Sequence, residues 1–173
     1  MISKDDGSIL FDSGDRLPPS MTRDDFLSST LGRSSVARPV HGNIASFEVV
    51  SALRGVQEAT VVISFLDRRL TVADIMLPMA GDEGGWENWS LEREMERKAA
   101  HDALLRSFLG DLKHELRPPR KFRWKDILLW LYQRRRATVP APPRYYKFPW
   151  GDVMSVYDAK GAFSVIRIRY RGQ

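Results

Sequence analysis

The stretch "DVMSVYDAKGAFSVIRIRY", residues 152–170, decides how the fold is read. In its second half Ile166, Ile168 and Tyr170 alternate with Arg167 and Arg169, the period of a strand with one buried and one wetted face. "DAKG", residues 158–161, separates two such runs. Asp158 suits the first position of a type I turn, and Gly161 is expected to supply the left-handed residue that closes a bulged hairpin. "FPWG", residues 148–151, is expected to fix how the chain enters this hairpin. A sheet ending this way needs a cover over its apolar side.

Working outward, "SLEREMERKAAHDALLRSFLG", residues 90–110, is the long helical pattern that can provide the cover. Ser90 can cap it, Glu92 and Glu94 suit its first turn, and Gly110 is a natural terminator. Leu91, Met95, Leu105 and Leu109 share one face, with Leu104 and Phe108 beside them. Upstream, "SFEVVSALRG" (46–55) alternates, placing Phe47, Val49 and Leu53 on one side. "ATVVISFL" (59–66) and "RLTVADIML" (69–77) are rich in β-branched residues, with "DRR" between them to turn a hairpin. "GSILF" (7–11) reads as a first strand, broken by the prolines of "GDRLPPSM" (14–21). "TRDDFLSSTLG" (22–32) reads as a short helix with Thr22 as N-cap, Asp25 in the capping-box position and Gly32 at its end. "PMAGDEGGWEN" (78–88) reads as a loop. The whole is expected to be a single α+β domain over residues 1–173. It would be an antiparallel sheet of about five to six strands, crossed by one long helix.

Composition narrows the function. The chain has no cysteine, so disulfide and thiolate chemistry are excluded, and the three histidines do not form a zinc-ligand spacing. No apolar run approaches the roughly 18 to 20 residues a membrane-spanning helix needs, and "MISKDDGSIL" lacks the features of a secretory signal. A cytoplasmic protein without cofactor or metal is the expectation. The net charge of +5 is unevenly spread. Residues 113–148 hold eleven Lys or Arg against Glu115 and Asp126, a local charge of +9, which leaves the remainder at −4. This basic, proline-bracketed stretch is read as a helical insertion before the last hairpin.

Within it, "KFRWKDILLWLYQRRR" (121–136) places Trp124, Ile127, Leu128 and Leu131 on one helical stripe while Leu129, Trp130 and Tyr132 point elsewhere. Three uses compete with simple docking of the segment on its own domain. In a nucleic-acid grip, Arg134, Arg135 and Arg136 would meet phosphates while Trp130 or Tyr132 stack on bases. A membrane-surface helix would want a cleaner polar face. A protein contact, with Leu129 and Trp130 as anchors and the arginines as rim, fits the pattern best. The partner-binding candidates are therefore Trp124, Leu129, Trp130, Tyr132, Arg134, Arg135 and Arg136.

A second constellation lies in the long helix, where Glu94, Lys98 and Asp102 follow i, i+4, i+8 with His101 beside them. It reads either as a ligand or proton-transfer site or as an ion-pair ladder at the core's rim. No catalytic template accompanies it: there is no G-x-S-x-G elbow, P-loop or G-x-G-x-x-G, and the His101–Asp102 dipeptide lacks the further ligands a metal-dependent phosphohydrolase needs. Asp24–Asp25 and Asp82–Glu83 suit a helix start and a solvated turn. Trp86, Trp89 and Trp150 fall in or beside loops, as binding-surface residues or as lids over the core.

"TRDDFLSS", "FLDRRLTVADIML", "WSLEREMERKAAHDALLRSFLG" and "FPWGDVMSVYDAKGAFSVIRIRY", taken in this order, resemble a group of small, mostly uncharacterised bacterial cytosolic proteins. These are similar to the immunity proteins that accompany secreted antibacterial toxins. The likeness spans roughly residues 8–110 and 148–170 and rests on layout and on phrases such as "RKAAHD" and "WGDVMSVYD". Residues 113–147 depart from the layout as an enlarged connection. The resemblance carries no catalytic residues, and it implies stoichiometric neutralisation of a toxin by binding rather than turnover.

Overall fold

The computed structural model describes residues 1–79, 82, 87–111, 143–158 and 160–171. In chain order these residues form β1 (Ile9–Leu10), β2 (Arg16–Leu17), α1 (Arg23–Ser28), α2 (Thr30–Arg33), β3 (Val36–Ala37), β4 (Ile44–Leu53), β5 (Val56–Leu66) and β6 (Arg69–Met76). They continue with α3 (Leu91–Leu109), β7 (Arg144–Phe148), β8 (Gly151–Asp158) and β9 (Phe163–Tyr170). Seven strands make one antiparallel sheet in the order β3-β4-β5-β6-β9-β8-β7, and β1 and β2 pair separately.

The α+β class and the long covering helix agree with the sequence. "GSILF" forms β1 as read, but it pairs apart from the main sheet with β2. The main sheet holds seven strands rather than about five to six because it gains β3, which at two residues is too short to show a period, and β7. β7 lies at the tail of the basic stretch, where charge masks its alternation, yet it pairs with β8 from Arg144↔Ser155 to Phe148↔Gly151. Residues 112–142, with Trp124, Leu129, Trp130, Tyr132, Arg134, Arg135 and Arg136, lie outside the described residues.

Register puts Phe47, Val49, Val61, Ile63, Ile75, Val153, Ile166 and Ile168 on one side of the sheet, all buried. Both covers sit on this inner side. At the β4–β5 end, Phe26 of α1 meets Phe47 and Phe65 at centroid distances of 5.3 and 5.5 Å. Over β8 and β9 lies α3, burying Leu105 and Leu109. The opposite, outer face carries Val62, Asp74, Met76, Phe163 and Arg167.

Local chemistry accounts for the element ends. Thr22 caps α1: its hydroxyl accepts the Asp25 N–H at 3.1 Å and donates to the Asp25 carboxylate at 2.6 Å. Gly32 does not end that helix. Ser29 breaks it and caps α2, and Gly32 sits inside α2 because an added Cβ would lie 2.0 Å from the Phe26 carbonyl oxygen. In the last hairpin Asp158 Oδ1 accepts the Lys160 and Gly161 N–H groups as expected of a turn opener. The left-handed residue, however, is Ala162 at φ 55°, not Gly161. Gly161 serves instead by lacking a Cβ, which would fall 2.2 Å from the Phe163 ring. Trp150 is a core residue: it stacks on Phe148 at 4.7 Å and its indole donates to the Lys4 carbonyl at 2.8 Å.

Candidate functional site

The polar residues of α3 face the sheet. Its buried stripe is Glu94, Lys98, His101, Leu105 and Leu109, whereas Leu91 and Met95, expected on the buried face, lie half-buried at its side. The cause is the way β6 leaves the sheet. Pairing of β6 with β9 runs from Val72↔Arg169 to Ile75↔Ile166 and stops. Beyond that point Ser164, still paired with Tyr157 of β8, has no partner on its β6 side, and Leu77 lies past the end of β6, a costly condition for their backbone groups unless side chains replace the ladder.

Side chains of α3 do replace it. The Glu94 carboxylate accepts the Ser164 N–H at 2.6 Å, and the Ser164 hydroxyl donates to the Glu94 carbonyl at 2.6 Å. His101 Nε2 accepts the Leu77 N–H at 3.2 Å, and Arg97 Nε donates to the Leu77 carbonyl at 3.1 Å. Arg97 also pairs with Glu94 and places Nη2 2.5 and 2.7 Å from the Asp82 oxygens. Lys98 Nζ, fully buried, donates to both Asp102 oxygens at 3.0 and 3.1 Å, and Asp102 takes Arg144 of β7 at 3.2 Å.

The electrostatics follow. Burial pushes the His101 imidazole down to about 3, aided by the Arg97 guanidinium and opposed by the Asp102 carboxylate. The ring is therefore neutral, and because Nε2 accepts from Leu77 its proton sits on Nδ1. His101 Nδ1 and Ser155 Oγ are enclosed without a hydrogen-bond partner among the described residues. Structure thus brings Glu94, Lys98, His101 and Asp102 together: Glu94, His101 Nε2 and Asp102 bind the sheet or the segment leaving it, and Lys98 holds Asp102 within the helix.

On the outer face lies a cleft of about 530 Å³. Val62 and Met76 line it from β5 and β6, and Trp89 and Phe163 from the segments flanking α3 and the last turn. Trp89 is 41% exposed, and its indole donates to the Ala162 carbonyl at 2.6 Å, which ties the start of α3 to the β8–β9 turn. Arg38, Arg93 and Arg97 supply cations, and Asp74, Asp82 and Glu94 supply carboxylates. Trp89 is marked in the sequence by its loop position. Arg38 and Phe163 are not, since Arg38 follows a two-residue strand and Phe163 opens a strand whose inner face draws attention first. No described helix is long and apolar enough to cross a membrane. Comparison of the chain with protein-family models, with curated proteins and with solved structures finds no match in any of the three.

Proposed function

We propose that the chain is a non-enzymatic cytoplasmic binding protein of the immunity type, which neutralises a toxin by stoichiometric contact. The observation that carries this reading is the commitment of the α3 polar cluster. Glu94, Lys98, His101 and Asp102 each hold a structural partner, so the residues best suited by type to acid–base work are engaged in holding the sheet to the helix. The resemblance in layout supports the same reading, and the basic stretch 113–148 supplies anchor and rim residues suited to a protein contact.

The test is capture of partners from native lysate with the tagged protein, before and after nuclease treatment. Wild type would be compared with Leu129→Asp/Trp130→Ala. A single stoichiometric protein, retained after nuclease and lost in a variant whose circular dichroism is unchanged, is the expected result. A bound set that vanishes with nuclease would replace this reading with nucleic-acid binding through Arg134, Arg135 and Arg136. In that case affinity for unspecific DNA would fall steeply with salt.

A further inference from the structure

We propose that the outer-face cleft is a binding site for a small organic carboxylate with an aromatic or branched apolar body. Its volume of about 530 Å³ falls in the range of small-molecule sites. One wall is fixed by contacts within the chain. Trp89 is held to the Ala162 carbonyl, and the missing Cβ of Gly161 lets the Phe163 ring lie against the turn. Two aromatic residues therefore meet a floor of Val62 and Met76, and an apolar body entering there exchanges water for ring and methyl contacts.

The sign of the ligand's charge follows from which polar atoms remain uncommitted. Every carboxylate oxygen lining the cleft already accepts a hydrogen bond. Asp74 takes Arg167 at 2.7 and 2.8 Å, one bond to each oxygen. Asp82 takes Arg97 on both oxygens and the Met79 N–H on Oδ2 at 2.8 Å. Glu94 takes Arg97 on one oxygen and the Ser164 N–H on the other. Arg38 differs: its Nε and Nη2 both donate to one oxygen of Glu48, at 2.9 and 2.6 Å, and its Nη1 donates to nothing among the described residues. Its side chain is 45% exposed. The donor left unused in the cleft is thus a cationic one, Arg38 Nη1, and a carboxylate matches it in charge and geometry. This inference concerns a small ligand on the outer face and is independent of the protein-contact reading above.

The test uses the full chain with 3-phenylpropanoate as probe and 3-phenylpropanamide as its uncharged counterpart, followed by ¹H–¹⁵N NMR. Expected are saturable shifts at the backbone amides of Arg38, Val62, Met76 and Phe163 and at the Trp89 indole. The amide should bind about tenfold more weakly, and Arg38→Gln should weaken the carboxylate by a similar factor. Glu48→Gln, which releases Arg38 from its ion pair, should tighten the carboxylate by roughly two- to fivefold. Absence of shifts at these positions up to about 10 mM probe would overturn the proposal, as would equal binding of acid and amide or indifference to both substitutions.

Discussion

His101 shows how one buried side chain ties stability to pH. Its folded-state value of about 3 lies below the ordinary 6.5, so between these limits the unfolded chain binds a proton that the folded chain excludes. The contribution of His101 is complete above about pH 6.5 and is lost as pH falls toward 3, at up to about 1.4 kcal/mol per unit. His101→Gln keeps an acceptor for the Leu77 N–H and removes the titration. Urea unfolding between pH 7 and pH 4 should therefore show a shallower acid limb in the variant than in wild type. Equal limbs would remove His101 from the account. A second effect at this scale concerns Ala162, whose Cβ is carried at φ 55°. Ala162→Gly should raise stability by about 0.5–1 kcal/mol through relief of that strain, seen as a higher thermal midpoint. A lower midpoint would mean that chain entropy outweighs the strain.

At the scale of the element, α3 both covers the core and finishes the sheet. Its C-terminal half buries Leu105 and Leu109, as an amphipathic helix should. Its N-terminal half buries acceptors and donors because β6 and β9 part company beneath it. Glu94→Ala would strand the Ser164 N–H and remove one of Arg97's two carboxylate partners, at a cost of about 3–5 kcal/mol. Glu94→Gln keeps an oxygen for Ser164 and should cost less than half as much. The comparison, made by chemical denaturation, separates the hydrogen bond from the charge; similar losses in both variants would assign the effect to the ion pair alone. The wheel of α3 is legible in the sequence as far as Leu105 and Leu109. Leu91 and Met95 mislead because hydrophobicity selects a face only where the opposing surface is apolar, and here that surface is the end of a hydrogen-bond ladder.

Across the whole molecule, the N-terminal segment and the last hairpin lock together. Trp150 donates to the Lys4 carbonyl, the Tyr170 hydroxyl donates to the Gly7 carbonyl at 3.1 Å, and Gly7 at φ 76° leaves room for the Trp150 ring. An added Cβ there would fall 2.3 Å from that ring. These contacts join residues 146 and 163 positions apart. Trp150→Ala should therefore cost about 3–5 kcal/mol in urea unfolding, the range for a large aromatic removed from a core. A loss under about 1 kcal/mol would show that the N-terminal segment is held elsewhere.

Sequence by itself determined the α+β class, the turn at Asp67–Arg68, the Thr22 cap and the alternation of β9, because each depends on neighbours within a few positions along the chain. It also brought Glu94, Lys98, His101 and Asp102 onto one side of a helix through their spacing. Tertiary structure alone decided what that side does. Whether a carboxylate or an imidazole is a reactive group or a substitute strand partner depends on Ser164 and Leu77, which the sequence separates from α3's polar residues and the fold sets against them. The outer-face cleft is likewise a product of the fold, since Arg38, Val62, Trp89 and Phe163 share no period and meet only when β3, β5, the start of α3 and the last turn are brought together.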